Sequence, residues 1–347
     1  MFPGPRRRRQ GLTGRSEARD HQVRRQLMLD RLEAIQLGGV TQWIRVRSDD
    51  ISNPTLLLMQ QGPGLPIINE VRNYERLLGL ERHFTVVYWD QRGTGLSAPP
   101  MRKLPNRFEI SAARMIDDTA LLLNMLHRRF GRKTFIAGFS FGATYAVRAA
   151  VKHPDLVAAI VATGMDINVP AAEQHMHDFL LNAAHERNSR RAIRQLKRLD
   201  PPPLLDARQF ATRARLLADF GGVTVDRNFN ALIRTLLMSL VRSADYSAAD
   251  TVRTIRGISL SQAALLPELA TTDLAHSAPR LEVPIVLAQG RRDQVAPGEL
   301  TQRYYESLVA PSKTLVWFEK SAHTPQYDEP EKFSELLLHV RSGELIR

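Results

Sequence analysis

Apolar residues recur along this chain at two spacings. Residues 55–59 (Thr-Leu-Leu-Leu-Met), 83–89, 133–139, 156–162, 283–290 and 314–318 are short, largely apolar runs. That is the pattern of strands covered on both faces of a sheet. Residues 40–47 alternate instead and predict an exposed or edge strand. Helical spacing lies between these runs. Residues 71–80 are amphipathic. Residues 111–129 place Met115, Leu122 and Leu126 on one face, with Gly131 where a helix C-cap is expected. Small residues dominate 142–151, and 330–340 closes the chain as a further amphipathic helix. Strand and helix alternating with short connections predict a mostly parallel α/β sheet.

The alternation stops at about residue 168. From there to 275 the pattern is helical, in segments at 171–199, 206–220, 228–241 and 250–255. Such a block inserted into an α/β chain predicts a separate cap over the C-terminal ends of the strands, where open α/β sheets bind ligands. The expected division is a basic tail at 1–30, a core at 38–167 and 276–342, and a helical cap at 168–275.

Composition narrows the chemistry. The 347 residues are 43% hydrophobic, enough for a substantial core, and include no cysteine. That excludes disulfides, a thiol nucleophile and thiolate metal sites. The formal net charge is +12. Much of the excess sits before residue 27, in Arg6–Arg9, Arg15, Arg19, Arg24 and Arg25 against Glu17 and Asp20. No nucleic-acid-binding module accompanies these arginines, so no nucleic-acid partner is expected. Residues 10–17 are not apolar, as an export signal requires. No run approaches the ~20 apolar residues of a membrane span. The expectation is a soluble cytoplasmic protein without a membrane partner. His175 and His177 lie two apart and do not share a helix face, so no metal is expected. Arg190, Arg191, Arg194, Lys197 and Arg198 read as a solvated helical face, with a role in drawing in an acidic substrate as the alternative.

The candidate chemistry centres on residues 133–142, Lys-Thr-Phe-Ile-Ala-Gly-Phe-Ser-Phe-Gly. Gly-x-Ser-x-Gly between a buried strand and a small-residue helix is the nucleophile elbow of a serine hydrolase. Gly138 and Gly142 remove side chains that would collide at the turn, and the following helix points free N–H groups at the reaction centre. Asp293 lies just past the run at 283–290, and His323 just past the last strand. The order Ser, Asp, His is that of the α/β-hydrolase fold. The candidate triad is therefore Ser140, Asp293 and His323. The backbone N–H of Phe141, with that of Gln61 or Gly62 from the loop after the strand at 55–59, forms the candidate oxyanion hole. Phe139 and Phe141 flank the serine and are expected to line the substrate pocket. Asp90 and Arg92 are expected to brace the glycine-rich loop at 90–97.

The chain resembles α/β-hydrolases of the proline iminopeptidase-like group, peptidase family S33, from about residue 38 to 342. The most specific match is residues 88–97, Tyr-Trp-Asp-Gln-Arg-Gly-Thr-Gly-Leu-Ser. Gly62-Pro63-Gly64 matches half of the group's oxyanion loop, with Gln60 and Gln61 replacing its usual His and Gly. Gly290-Arg291-Arg292-Asp293 and Ser321-Ala322-His323 match the acid and histidine loops. The resemblance implies an α/β-hydrolase fold, a mostly parallel central sheet with an inserted helical cap. It also implies a serine hydrolase that needs no cofactor and acts on a small molecule or short peptide. An aminopeptidase or small-amide hydrolase is the first expectation. An esterase or lactonase is the second, and a catalytically silent binding protein the third. Cap glutamates hold the substrate amine in the family's peptidases. Glu173 and Glu186 are acids of this cap, but neither is marked as such an anchor.

Overall fold

A computed structural model describes residues 28–100, 108–199, 202 and 206–344. Its strands are β1 (Leu29–Leu37), β2 (Val40–Ser48), β3 (Thr55–Met59), β4 (Thr85–Asp90), β5 (Thr134–Phe139), β6 (Val157–Thr163), β7 (Ile285–Gly290) and β8 (Lys313–Phe318). They form one sheet in the order β1-β2-β4-β3-β5-β6-β7-β8. β1 and β2 are antiparallel to each other, and β2 is antiparallel to β4. Every pairing from β4 to β8 is parallel.

Successive side chains of the central strands serve opposite faces. Leu57, Met59, Val87, Trp89 and Ile136 enter one apolar layer; Leu56, Leu58, Val86, Tyr88 and Ala137 enter the other. Both faces are dry, which explains why these strands read as largely apolar runs. α1 (Val71–Leu78) packs on one side, α2 (Ala112–Phe130) and α3 (Phe141–Lys152) on the other. α2 begins at Ser111, whose side chain accepts from the Arg114 N–H, and ends at Gly131, with φ 69°.

Between β6 and β7 run α4 (Val169–Glu186), α5 (Arg190–Leu196), α6 (Ala207–Asp219), α7 (Phe229–Arg242), α8 (Ala248–Leu269) and α9 (Leu274–Ser277). α10 (Gly298–Ser307) follows β7; α11 (Pro325–Asp328) and α12 (Pro330–Ser342) follow β8. Met176, Leu180, Leu196, Leu216 and Leu217 give the cap an apolar centre of its own. This is an α/β-hydrolase fold with an inserted helical cap.

Three expectations need correction. Residues 29–30 open β1 and do not belong to a tail. β2 is not an edge strand, because β1 covers it. α8 continues to Leu269, well past the segment expected at 250–255. The arginine-rich residues 1–27 lie outside the described residues.

The loop after β4 joins sheet to cap. Asp90 accepts from the backbone N–H groups of Ile67, Ile68 and Leu96 and from the hydroxyl of cap residue Tyr246. Burial pushes its carboxyl above the ordinary aspartate range, against these lowering bonds. Arg92 and Asp118 are both fully buried and form a bidentate pair, Nε–Oδ2 2.8 Å and Nη2–Oδ1 2.9 Å. Gln42 donates to the same carboxylate at 2.6 Å. A Cβ at Gly257 of α8 would stand 2.4 Å from the Gly93 carbonyl oxygen, so only glycine lets this cap helix lie on the loop.

Candidate active site

Ser140 stands between β5 and α3 with φ 51° and ψ −122°. Positive φ is costly for a residue with a Cβ and persists where the surroundings enforce it. The flanking glycines show how. A Cβ at Gly138 would lie 2.5 Å from the Ala143 Cα, and one at Gly142 would lie 2.3 Å from the Met59 carbonyl oxygen. The Ser140 N–H is tied to the Thr163 carbonyl at 2.7 Å. Its residue is 7% exposed. Phe141 and Gly142 open α3, where N–H groups have no partner within the helix.

The acid comes from the loop at the end of β7 and the histidine from the loop at the end of β8. His323 Nδ1 lies 2.9 Å from Asp293 Oδ2. Asp293 Oδ1 accepts the N–H groups of Val295 and Ala296 at 2.8 and 2.9 Å, which fixes the carboxylate plane. Close packing holds the pair. Gly164 has φ 53°, and a Cβ there would meet His323 Nδ1 at 2.9 Å. Burial alone would lower the imidazole pKa. The negative charges of Asp293, Asp166 and Asp328, with the Asp293 hydrogen bond, outweigh it and raise His323 above its ordinary value. The cap grips both loops: the Gln294 N–H donates to the Gly222 carbonyl at 3.1 Å, and the His323 N–H to the Val223 carbonyl at 3.0 Å.

Ser140 and His323 share the wall of a cavity of about 540 Å³. Gln60, Gln61 and Gly62 border it from the loop after β3. Its apolar surface includes Leu65 and Leu77 of the core and Leu232, Ile233 and Leu236 of the cap. Phe139 and Phe141, expected to line the pocket, do not. Each is 1% exposed. Phe139 packs between Tyr74 and Phe333, and Phe141 stacks on Tyr145 with ring centroids 4.3 Å apart. The elbow turns their side chains into the two apolar layers while the serine faces the cleft.

The cavity also holds charged residues that pattern reading did not single out: Glu70, Arg76 and Arg227. Glu70 is 7% exposed, and its two oxygens accept from the Asn69 and Asn73 side-chain amides at 3.1 and 2.8 Å. The cap acids are placed differently. Glu173 is buried against Arg213 in an ion pair, and Glu186 is exposed at the end of α4. Arg190, Arg191, Arg194, Lys197 and Arg198 lie outside the cavity wall. His175 bonds to Gln294 at 2.8 Å, whereas Met176 is buried in the cap centre. Among the described residues no cluster of three metal-ligating side chains occurs, and no helix is long and apolar enough to cross a membrane.

Asp166, three residues past β6, is a further acid near the site. Burial pushes its carboxyl up to about 6, with the charge of Asp293 and that of Glu173 adding to the rise; His323 and Arg213 oppose it.

Comparison with known proteins agrees with this architecture. The chain is 29% identical over 308 residues to the probable aminopeptidase YbaC of Bacillus subtilis (strain 168), covering 88% of this chain and 94% of that one. It is 25% identical over 293 residues to a proline iminopeptidase of Heyndrickxia coagulans, covering 80% and 87%. A crystal structure of a proline iminopeptidase-related protein from Thermus thermophilus superimposes with TM-score 0.60 at 18% identity, covering 91% and 98%, which is a likeness of fold. The family model described as serine aminopeptidase, S33, matches residues 80–330. The chain therefore belongs to the S33 serine aminopeptidase family of α/β-hydrolases.

Proposed function

We propose that this protein is a serine hydrolase that cleaves a small amide or ester through an acyl-enzyme on Ser140. The observation that carries the reading is the Asp293–His323 hydrogen bond of 2.9 Å, with His323 and the Ser140 elbow on one cavity wall. Asp293 holds the imidazole with its Nδ1 proton inward, leaving Nε2 to take the serine proton as Oγ attacks the carbonyl carbon. The tetrahedral oxyanion is received by the Phe141 N–H and by the N–H of Gln61 or Gly62. One such donor is worth about 3 kcal/mol in the transition state. Protonated His323 then gives its proton to the leaving amine or alkoxide. Water activated by the same base releases the acyl group.

The aminopeptidase reading is favoured by Glu70, an acid on the cavity wall held in place by two asparagine amides. A buried carboxylate beside an apolar wall suits a substrate's free ammonium group. Here the anchor comes from the core, before α1, and not from the cap. An esterase reading is supported by the leucine and isoleucine wall alone. Proline β-naphthylamide, its N-acetyl derivative and p-nitrophenyl butyrate separate them. An aminopeptidase cleaves the free-amine amide in a Ser140-dependent way, loses that activity on acetylation, and shows a raised KM in Glu70→Gln. Ester cleavage with no amide cleavage supports the second reading. No Ser140-dependent turnover of any of the three overturns both.

A further inference from the structure

A second cleft, about 790 Å³, adjoins the catalytic cavity. The two share Asn73 of α1 and Thr235 of α7 as lining residues, so the outer cleft continues the inner one. One wall is β1, β2 and α1; the opposite wall is α7. The Asn69 amide bridges them, donating to Ser239 Oγ at 2.7 Å.

The charge lining this cleft is unbalanced. Five arginines, Arg45, Arg47, Arg72, Arg234 and Arg242, face three carboxylates, Asp30, Glu75 and Asp245. The carboxylates are already engaged. Arg45 holds Asp30 and Asp245 at 2.6 and 2.8 Å, and Arg47 holds Glu75 at 2.8 Å. Arg72, Arg234 and Arg242 are exposed, and none forms a hydrogen bond or ion pair among the described residues. Arg234 and Arg242 lie eight residues apart on α7, which places them near one helix face. Arg76, one turn beyond Arg72 on α1, carries the same charge to the inner cavity. Arginines thus converge from two elements on one cleft, in excess of its carboxylates, next to the candidate nucleophile.

We propose that the outer cleft binds an oxyanion group, carboxylate or phosphate, at the end of the substrate remote from the scissile bond, with Arg72, Arg234 and Arg242 as specificity-determining residues. The proposal rests on the serine-hydrolase reading and extends it to an anionic substrate class. Planar guanidinium groups pair with both oxyanions through two N–H donors. A short peptide with a free C-terminal carboxylate fits this scheme, its ammonium end at Glu70 and its carboxylate in the outer cleft.

The test uses matched esters on the full-length protein. Mono-p-nitrophenyl glutarate against p-nitrophenyl pentanoate places the anion on the acyl side. 4-Acetoxybenzoate against its methyl ester places a carboxylate on the leaving side, and 4-acetoxyphenyl phosphate places a phosphate there. The expected result is a kcat/KM at least tenfold higher for the anionic member of one series, carried mainly by KM. That ratio falls tenfold or more in an Arg72→Gln, Arg234→Gln, Arg242→Gln triple variant, is partly kept in the corresponding lysine variant, and shrinks between low and 0.5 M KCl as screening shortens the reach of exposed charge. Responding series identify the side and the oxyanion. Equal kcat/KM within every pair, or a preference unchanged in the triple variant with normal melting, overturns the proposal while leaving the hydrolase intact. Absence of Ser140-dependent turnover of every ester, anionic and neutral, in wild type instead removes the hydrolase reading itself.

Discussion

Replacing Asp166 with asparagine should make the protein's stability less dependent on pH. The carboxyl is held at about 6 in the folded chain against an ordinary aspartate value of 3.8, chiefly by burial. A carboxyl whose pKa is raised by folding binds its proton more tightly in the folded state. Its contribution to stability is complete below about pH 4 and is lost as pH rises through about 6. At about 1.4 kcal/mol per pH unit, the span between the two values corresponds to about 3 kcal/mol. Asp166 keeps part of its surface accessible, so this figure is a ceiling. Asparagine keeps the shape without the charge. Urea unfolding at pH 4 and pH 8, on wild type and Asp166→Asn, should show the variant gaining up to about 3 kcal/mol more at pH 8 than at pH 4. Equal effects at the two pH values, within about 0.5 kcal/mol, would refute the reasoning. The same substitution removes one of the charges that raise His323, so the acidic limb of kcat/KM should move to lower pH.

Other outcomes follow from the same geometry. In wild type the acidic limb of kcat/KM should lie above the ordinary imidazole value of 6.5, because the base must be neutral and His323 is raised; a midpoint below 6.5 would contradict the assignment. Asp293→Asn should lower kcat by about 10³ to 10⁴ with little change in thermal midpoint. Asp118→Ala should cost about 3–5 kcal/mol in urea unfolding by stranding the fully buried Arg92, whereas Arg92→Met with Asp118→Leu should recover most of that loss. Gly142→Ala should abolish turnover or folding, since its Cβ would meet the carbonyl oxygens of Met59 and Gln60 at 2.3 and 2.5 Å; a folded, fully active variant would show that the strand leading to Gln61 and Gly62 does not need this close approach.

The sheet is legible in the sequence because its central strands are dry on both faces and carry largely apolar runs. β1 is not, because its residues are half exposed in no clean alternation, and Asp30, Arg31 and Glu33 break any apolar run. The pattern cuts α8 short because its middle, around Gly257 and Ser259, lacks helix-forming character; packing on Gly93 supplies what propensity does not. Ser140, Asp293 and His323 can be named from their places after strand ends. Phe139 and Phe141 are misplaced by the sequence because adjacency to the nucleophile says nothing about side-chain direction at a sharp turn. Of the charged residues lining the cavity, Glu70 stands at the start of α1, Arg76 within it and Arg227 in the cap, and none carries a motif. The cap arginines that stand out as a run lie on α5 and just beyond it, away from both clefts, whereas the unpaired arginines of the outer cleft are scattered singly over α1 and α7.

The most direct test of the hydrolytic centre is covalent trapping of the nucleophile. The folded protein would be treated with a fluorophosphonate, and the adduct located by intact-mass and peptide mass spectrometry. The expected product carries one phosphonyl group on Ser140, absent in Ser140→Ala and formed far more slowly in His323→Ala. A cooperatively melting protein that takes up no probe, or takes it up on another residue, would contradict the claim that Ser140 and His323 form a working hydrolytic centre.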